Sequence, residues 1–297
     1  MKPILFRGSG VALATPFTLD GLDEPRLRER VCRQIEQGTD AIILCGTTGE
    51  PNTMPLEERD RAVSIALDAA NGRAPIIVGT GSNSTATAIK LSRHAEQLGA
   101  AGLLVVTPYY NRPNQRGLIE HFLAIADSTS IPLILYNVPN RTGVNLLPES
   151  AARLAEHRRI IALKESGTDL AQLMQTIALA GPNLGIYAGN DDLIFPVMAL
   201  GGLGAISVAA NIIPTEIKAI THSYLSGDMD ESRTEQLRWL PLIRLLFAEP
   251  NPQPLKCAMA MLGLDSGYLR PPLHQVDTQT KAVITAELMR MGVMPAS

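Results

Sequence analysis

The sequence predicts an α/β fold, a (β/α)8 or TIM barrel with a C-terminal helical appendage. Three observations carry this reading. Short apolar runs alternate with amphipathic segments almost without interruption, and eight such pairs fit within about 225 residues. No run is followed by the GxGxxG turn that a doubly wound, dinucleotide-binding sheet would want. Gly201-Gly202-Leu203-Gly204 is more simply a helix-to-strand turn.

Residues 11–14 form the first strand and 24–37 the first helix. Residues 41–45 form the second strand, which runs into Gly46-Thr47-Thr48-Gly49-Glu50. The next helix repeats Val63, Ala66, Leu67 and Ala70 at the spacing of one helix face. Residues 75–78 make the third strand, and Ala88, Leu91, Ala95 and Leu98 mark its helix, which Gly99 stops. Residues 103–106 and 133–136 are the fourth and fifth strands, with helices around Leu118, Phe122 and Ile125 and over 149–156. Residues 160–163 form the sixth strand, followed by a helix over 169–180. The seventh, 185–188, is weaker and precedes a helix near 192–200. Residues 205–208 are the eighth, and Pro214 suits the first turn of its helix. This assigns residues 1–227 to the barrel. Residues 228–297 are helical in pattern, divided by Glu249-Pro250-Asn251-Pro252-Gln253-Pro254, and read as a region packed on the barrel.

Composition narrows the function classes. Mixed charge with a net value of −3 argues against a nucleic-acid or polybasic membrane partner. Cys32, Cys45 and Cys257 are too widely spaced for a disulfide framework or a zinc pattern, and the five histidines form no i, i+4 ligand pair. Residues 1–9 lack a signal-peptide core, and no run approaches 18 apolar residues. The expectation is a soluble, reduced, cytoplasmic protein.

The chemistry centres on Arg159-Ile160-Ile161-Ala162-Leu163-Lys164-Glu165-Ser166, a strand buried on both faces with a lysine at its carboxyl end. Lysine is scarce, six of 26 basic residues, and four of the others fall on polar helix faces or near the termini. Lys256, in Pro254-Leu255-Lys256-Cys257, is the only rival. A free lysine amine is almost wholly protonated at pH 7, but desolvation disfavours the ammonium and lets an amine attack a carbonyl to form a Schiff base. The alternative is a structural ion pair with Glu165.

The active site of such a barrel lies at the carboxyl ends of its strands. Those ends carry Thr47 and Thr48, Tyr109 and Tyr110, Tyr136 and Asn137, Lys164, Gly189 and Asn190, and Ser207. The Gly46–Gly49 turn can aim N–H groups and hydroxyls at a carboxylate. A tyrosine can move the proton that carbinolamine and enamine steps require. Arg141 offers a fork for a second carboxylate. Each feature alone is more simply packing or a solvated surface; together at one end of one barrel they are coherent.

Gly46-Thr47-Thr48-Gly49-Glu50, Pro108-Tyr109-Tyr110-Asn111-Arg112-Pro113, Tyr136-Asn137-Val138-Pro139 with Arg141-Thr142-Gly143, and Lys164-Glu165 resemble the ordered motif set of the dihydrodipicolinate synthase family. That family belongs to the pyruvate-dependent class I aldolase superfamily, which also contains N-acetylneuraminate lyase. The resemblance runs from about Gly8 to the C-terminal helices and includes Glu249-Pro250-Asn251-Pro252. It implies a lyase of lysine and diaminopimelate biosynthesis that needs no metal or organic cofactor. Lys164 would form a Schiff base with pyruvate, whose carboxylate sits near Thr47 and Thr48 with Ile206 lining the pocket. Tyr136 would be the central proton donor and acceptor. Thr47 and Tyr110 would complete a relay, the latter reaching in from the neighbouring subunit of a tight dimer. Arg141 would hold the carboxylate of L-aspartate-4-semialdehyde, and Gly189 would contribute backbone near the Schiff base. The implied assembly is a homotetramer, a dimer of dimers.

Two other readings remain at this point. A sialic acid lyase or a 2-keto-3-deoxy sugar acid aldolase would use Lys164 and Tyr136 equally, although Arg141 suits a small acidic aldehyde better than a polyol. A catalytically idle sensing barrel would be expected to have lost Lys164, Tyr136 or Thr47, and all three are present. The resemblance also bears on regulation, since many bacterial relatives are inhibited by L-lysine at the dimer interface. This chain keeps Asn83 and Tyr109 of that pattern, but Thr87 stands in place of a glutamate. Pro51 and Asn52 replace small residues, and Leu56 and Arg59 occupy histidine positions. Weak or absent lysine feedback is expected.

Overall fold

The computed structural model describes residues 2–294. Eight parallel strands close into a barrel: β1 Gly8–Ala12, β2 Ala41–Leu44, β3 Ile76–Gly79, β4 Gly102–Val106, β5 Leu133–Asn137, β6 Ile160–Glu165, β7 Gly185–Ala188 and β8 Gly204–Ser207. Each strand pairs with the next in sequence, and β1 closes the ring against β8 through Gly8↔Gly204 to Val11↔Ser207. The main helices follow in alternation: α1 Glu24–Glu36, α2 Leu56–Ala70, α3 Thr85–Leu98, α4 Gln115–Asp127, α5 Pro148–Leu154, α6 Leu170–Ala180, α7 Ile194–Ala199 and α8 Pro214–Leu225. Three more, α9 Met229–Leu245, α10 Gln253–Met261 and α11 Thr278–Arg290, come after the barrel. No described helix is long and apolar enough to cross a membrane.

Helix boundaries follow the chain's own punctuation. Asp23, Ser84, Asn114 and Asp169 each accept a backbone N–H as N-caps, satisfying donors that have no partner within the helix. Gly99 ends α3 at φ +101°, a conformation that costs glycine little. The first strand lies upstream of the 11–14 reading, because Gly8, Ser9 and Gly10 pair with β8 yet carry no apolar signal. A small hairpin, Phe17–Thr18 with Gly21–Leu22, is too short to leave a period in the sequence.

Packing falls into two layers. Leu27, Val31, Phe122 and Ile217 belong to the layer between the strands and their helices. Ile43, Ile77, Leu104, Ile134, Ala162 and Ile206 fill the barrel interior. Phe6, preceding β1, stacks on Tyr187 with ring centroids 4.4 Å apart, and the Tyr187 hydroxyl donates to Phe6 O at 2.7 Å. The register of β6 on β5 shifts by one residue between Leu133↔Ile160 and Ile134↔Ala162. The extra residue, Ile161, sets the parity of the strand beyond it. Lys164 thereby comes directly opposite Tyr136.

Candidate active site

Lys164 is the penultimate residue of β6 and is 4 % exposed. Its Nζ lies 4.4 Å from the centroid of the Tyr136 ring, on the neighbouring strand. Adjacent residues of a strand face opposite ways, so Glu165 turns out of the barrel. Its carboxylate accepts from Asn137 Nδ2 at 3.0 and 3.1 Å and from Gly167 N at 2.5 Å. Burial pushes the Glu165 carboxyl up to about 7, against the pull of these donors. The Lys164–Glu165 ion pair that the sequence left open is therefore not formed.

Two adjoining cavities, of about 360 and 370 Å³, lie at the carboxyl ends of the strands. Lys164, Thr48, Ser166, Gly189 and Val208 line the first, Cys45, Arg59, Gly81 and Tyr109 the second. Thr47, Tyr136, Arg141 and Asn251 line both. The turn that presents the threonines is one 3₁₀ turn, Thr47–Gly49, flanked by Cys45 at φ +53° and Glu50 at φ +54°. Side chains rarely occupy that region, and here tertiary contacts hold both ends. Gly79 packs so tightly under Cys45 that a Cβ there would collide with the Cys45 carbonyl. Glu50, 4 % exposed, pairs with Lys256 Nζ at 2.5 Å and accepts from Arg270 N at 3.2 Å.

Arg141 sits on the single helical turn Pro139–Thr142 at the rim, where Nη2 donates to Asn251 O at 3.2 Å. Gly189 N donates to Glu165 O at 2.7 Å, and a Cβ at 189 would collide with Ser166 Oγ. Only glycine lets the loop after β7 approach this close to the end of β6. Asp191, two residues on, is fully buried; its Oδ2 accepts from Val208 N at 3.0 Å and Ala209 N at 2.8 Å. Burial pushes the Asp191 carboxyl up to about 6, while Ala209 N–H, the Ser207 hydroxyl and the Lys164 charge draw it back.

Six of the eight residues singled out in the sequence thus line one cavity: Lys164, Tyr136, Thr47, Thr48, Arg141 and Gly189. The other two do not. Ile206 is fully buried in the barrel interior, and Val208, just past the end of β8 in a helical conformation, lines the cavity instead. Tyr110 is 90 % exposed at φ +72° and lines neither cavity of its own chain. Lys256, the rival amine, is 0 % exposed, with Nζ 3.0 Å from Tyr268 O and 4.6 Å from the Phe17 ring centroid. It serves the Glu50 pair and lines neither cavity. Sequence reading assigned no role to Asn251 or Asp191. The acidic pair after β7 could have flagged Asp191, and Asn251 stood within the Glu249-Pro250-Asn251-Pro252 motif without a role attached to it.

A model of the Dihydrodipicolinate synthetase family matches residues 5–290. The chain is 47% identical over 290 residues to a 4-hydroxy-tetrahydrodipicolinate synthase of Geotalea uraniireducens, covering 98% of this chain and 100% of that protein. It is 49% identical over 282 residues to a protein of the same name from Trichlorobacter lovleyi, covering 95% and 97%. The crystal structure of a dihydrodipicolinate synthase from Thermotoga maritima superimposes with a TM-score of 0.96 at 40% identity, over 98% of this chain and 100% of that one. From residue 5 to residue 290, and in the fold that those residues build, the chain belongs to the dihydrodipicolinate synthetase family.

Proposed function

We propose that the Lys164 cavity condenses pyruvate with L-aspartate-4-semialdehyde to give 4-hydroxy-tetrahydrodipicolinate, and that its residues divide the work as follows. The observation that carries the reading is the buried Lys164 amine facing Tyr136 across adjacent strands, in a cavity that the threonine turn also lines. Neutral Lys164 attacks the keto carbon of pyruvate, forming a carbinolamine that loses water to become the Schiff base. Thr48 and the turn hold the pyruvate carboxylate. Loss of a methyl proton gives an enamine, whose carbon forms the new bond to the aldehyde carbon of the semialdehyde. The semialdehyde's amine then attacks the imine carbon, closing the ring and expelling Lys164. Tyr136 carries protons between these steps, with Thr47 and Tyr110 of a neighbouring subunit extending the relay. Tyr110's exposure and its absence from its own cavity support delivery in trans. A homo-oligomer, a dimer or a dimer of dimers, is the assembly this requires, and the cytoplasm is its expected setting. A coupled assay comparing aspartate semialdehyde with sugar-derived aldehydes tests the substrate; faster turnover of a polyol aldehyde would reassign it.

Arg141 is proposed to hold the semialdehyde carboxylate only. Arg141→Ala should therefore weaken the second substrate far more than pyruvate. Because Arg141 is exposed at the rim, the expected loss is roughly 2 kcal/mol, the low end for one charge-assisted contact. Steady-state kinetics in which the constants for both substrates worsen equally would refute this division.

L-Lysine is expected to inhibit weakly or not at all. Arg59 stands in the wall of the second cavity, Nη2 donating to Gly79 O at 2.8 Å, and Pro51 and Asn52 line the same space. A lysine ammonium there meets the like charge of Arg59, the Glu50 carboxylate of that wall is already paired with Lys256, and Thr87 in α3 brings no carboxylate in place of the family's glutamate. An inhibition titration decides: half-maximal inhibition below about 1 mM, roughly 4 kcal/mol of binding, would show a working feedback site.

A further inference from the structure

We propose that Asn251, on the loop between α9 and α10, is a positioning residue that aims the Thr48 hydroxyl proton into the cavity and tethers Arg141 at its rim. The inference rests on the reading that Thr48 and Arg141 hold the two substrate carboxylates. Asn251 is 5 % exposed and lines both cavities. Its Nδ2 donates to Thr48 Oγ1 at 3.0 Å, and its backbone oxygen accepts from Arg141 Nη2 at 3.2 Å. One residue from beyond the barrel therefore touches a group on each side of the site.

The chemistry follows from the polarity of the first contact. A hydroxyl has one proton to give and two lone pairs with which to accept. Once Thr48 Oγ1 accepts from the Asn251 amide, its rotor is biased so that its own proton points away from the amide. A carboxylate in the cavity is an acceptor-only group and meets that proton. Were the amide turned over, its oxygen would take the Thr48 proton and leave a lone pair facing the carboxylate. In the structure Asn251 Oδ1 is buried with no partner among the described residues, so the oxygen does not engage Thr48. The loop is held by one bond within itself and one to the start of α11. Gln253 N donates to Pro250 O at 2.9 Å, and Glu249 Oε1 accepts from Asp277 N at 3.2 Å.

The experiment is a set of four purified variants: Asn251→Asp, Asn251→Ala, Thr48→Val, and Thr48→Val with Asn251→Ala. Each is measured for pyruvate KM, kcat and unfolding midpoint. An aspartate at 251 can only accept, so Asn251→Asp is expected to raise pyruvate KM about tenfold or more while kcat at saturation changes far less. Asn251→Ala removes the donor without adding charge and should raise KM about threefold; it carries the test if the aspartate variant does not fold. In the Thr48→Val background Asn251→Ala, which brings no charge of its own, should add little, because the hydroxyl that the amide orients is gone. Unchanged pyruvate KM in both Asn251 variants, with Thr48→Val impaired, would overturn the inference alone. So would a fall in kcat and unfolding midpoint with KM untouched, or full additivity in the double variant. Unchanged KM in Thr48→Val would overturn the carboxylate reading itself, and the inference with it.

Discussion

Lys164→Arg is expected to abolish turnover, with a loss on the order of 10⁴-fold or more, as when a covalent nucleophile is removed. Arginine would keep the positive charge and much of the length. Its guanidinium stays protonated and cannot attack the keto carbon of pyruvate. Borohydride in the presence of pyruvate should label the wild-type chain, and peptide mass mapping should place the adduct on Lys164. The arginine variant should take no label. An adduct on Lys256, or none, would sink the assignment. The structure makes Lys256 a poor candidate, since its amine is enclosed between Glu50, Tyr268 O and the Phe17 ring.

Lys256→Met is expected to destabilise the fold by about 3–5 kcal/mol, because it strands the Glu50 carboxylate in the interior without its partner. Glu50 and Lys256 are 4 % and 0 % exposed, so solvent cannot replace the lost contact. Replacing both, Glu50→Gln with Lys256→Met, should recover part of that loss, since no unpaired charge then remains buried. Denaturant unfolding measures both. An unfolding midpoint that does not move in the single variant would show that the pair contributes nothing net. Activity should fall with stability in the single variant, since Glu50 closes the turn that carries Thr47 and Thr48.

The barrel was legible because its signals are local. Apolar runs and helix faces repeat within a dozen residues, and glycine or N-cap residues mark where each helix starts or stops. Lys164 was legible as a charge ending an apolar strand, and the threonine turn and Tyr136 as polar residues at the same end of other strands. Depth within the barrel was not. Ile206 and Val208 belong to one apolar run, and only the end of β8 at Ser207, beyond which Val208 leaves the strand, shows which of them reaches the cavity. Nor were contacts that span the chain. Asn251 meets Thr48 across 203 residues, a separation that leaves no period to read. Lys256 looked like a rival amine for the same reason, because the carboxylate that claims it lies on a turn near the other end of the sequence. Tyr110 is a further case: its own chain leaves it 90 % exposed and outside both cavities, and nothing local in the sequence says so.

The threonine turn and the rim arginine are held by residues that come after the last barrel strand, and this fixes an order of assembly during synthesis. A ribosome delivers Lys164, Tyr136 and the whole ring of strands before Asn251 and Lys256 emerge. Until they dock, the threonine turn lacks the contacts that Asn251 and Lys256 make to Thr48 and Glu50. A chain cut short before residue 251 would lack the Thr48 and Arg141 contacts altogether. The region beyond the barrel therefore completes the site: the contacts to Thr48, Arg141 and Glu50 exist only on a polypeptide made at least through Lys256.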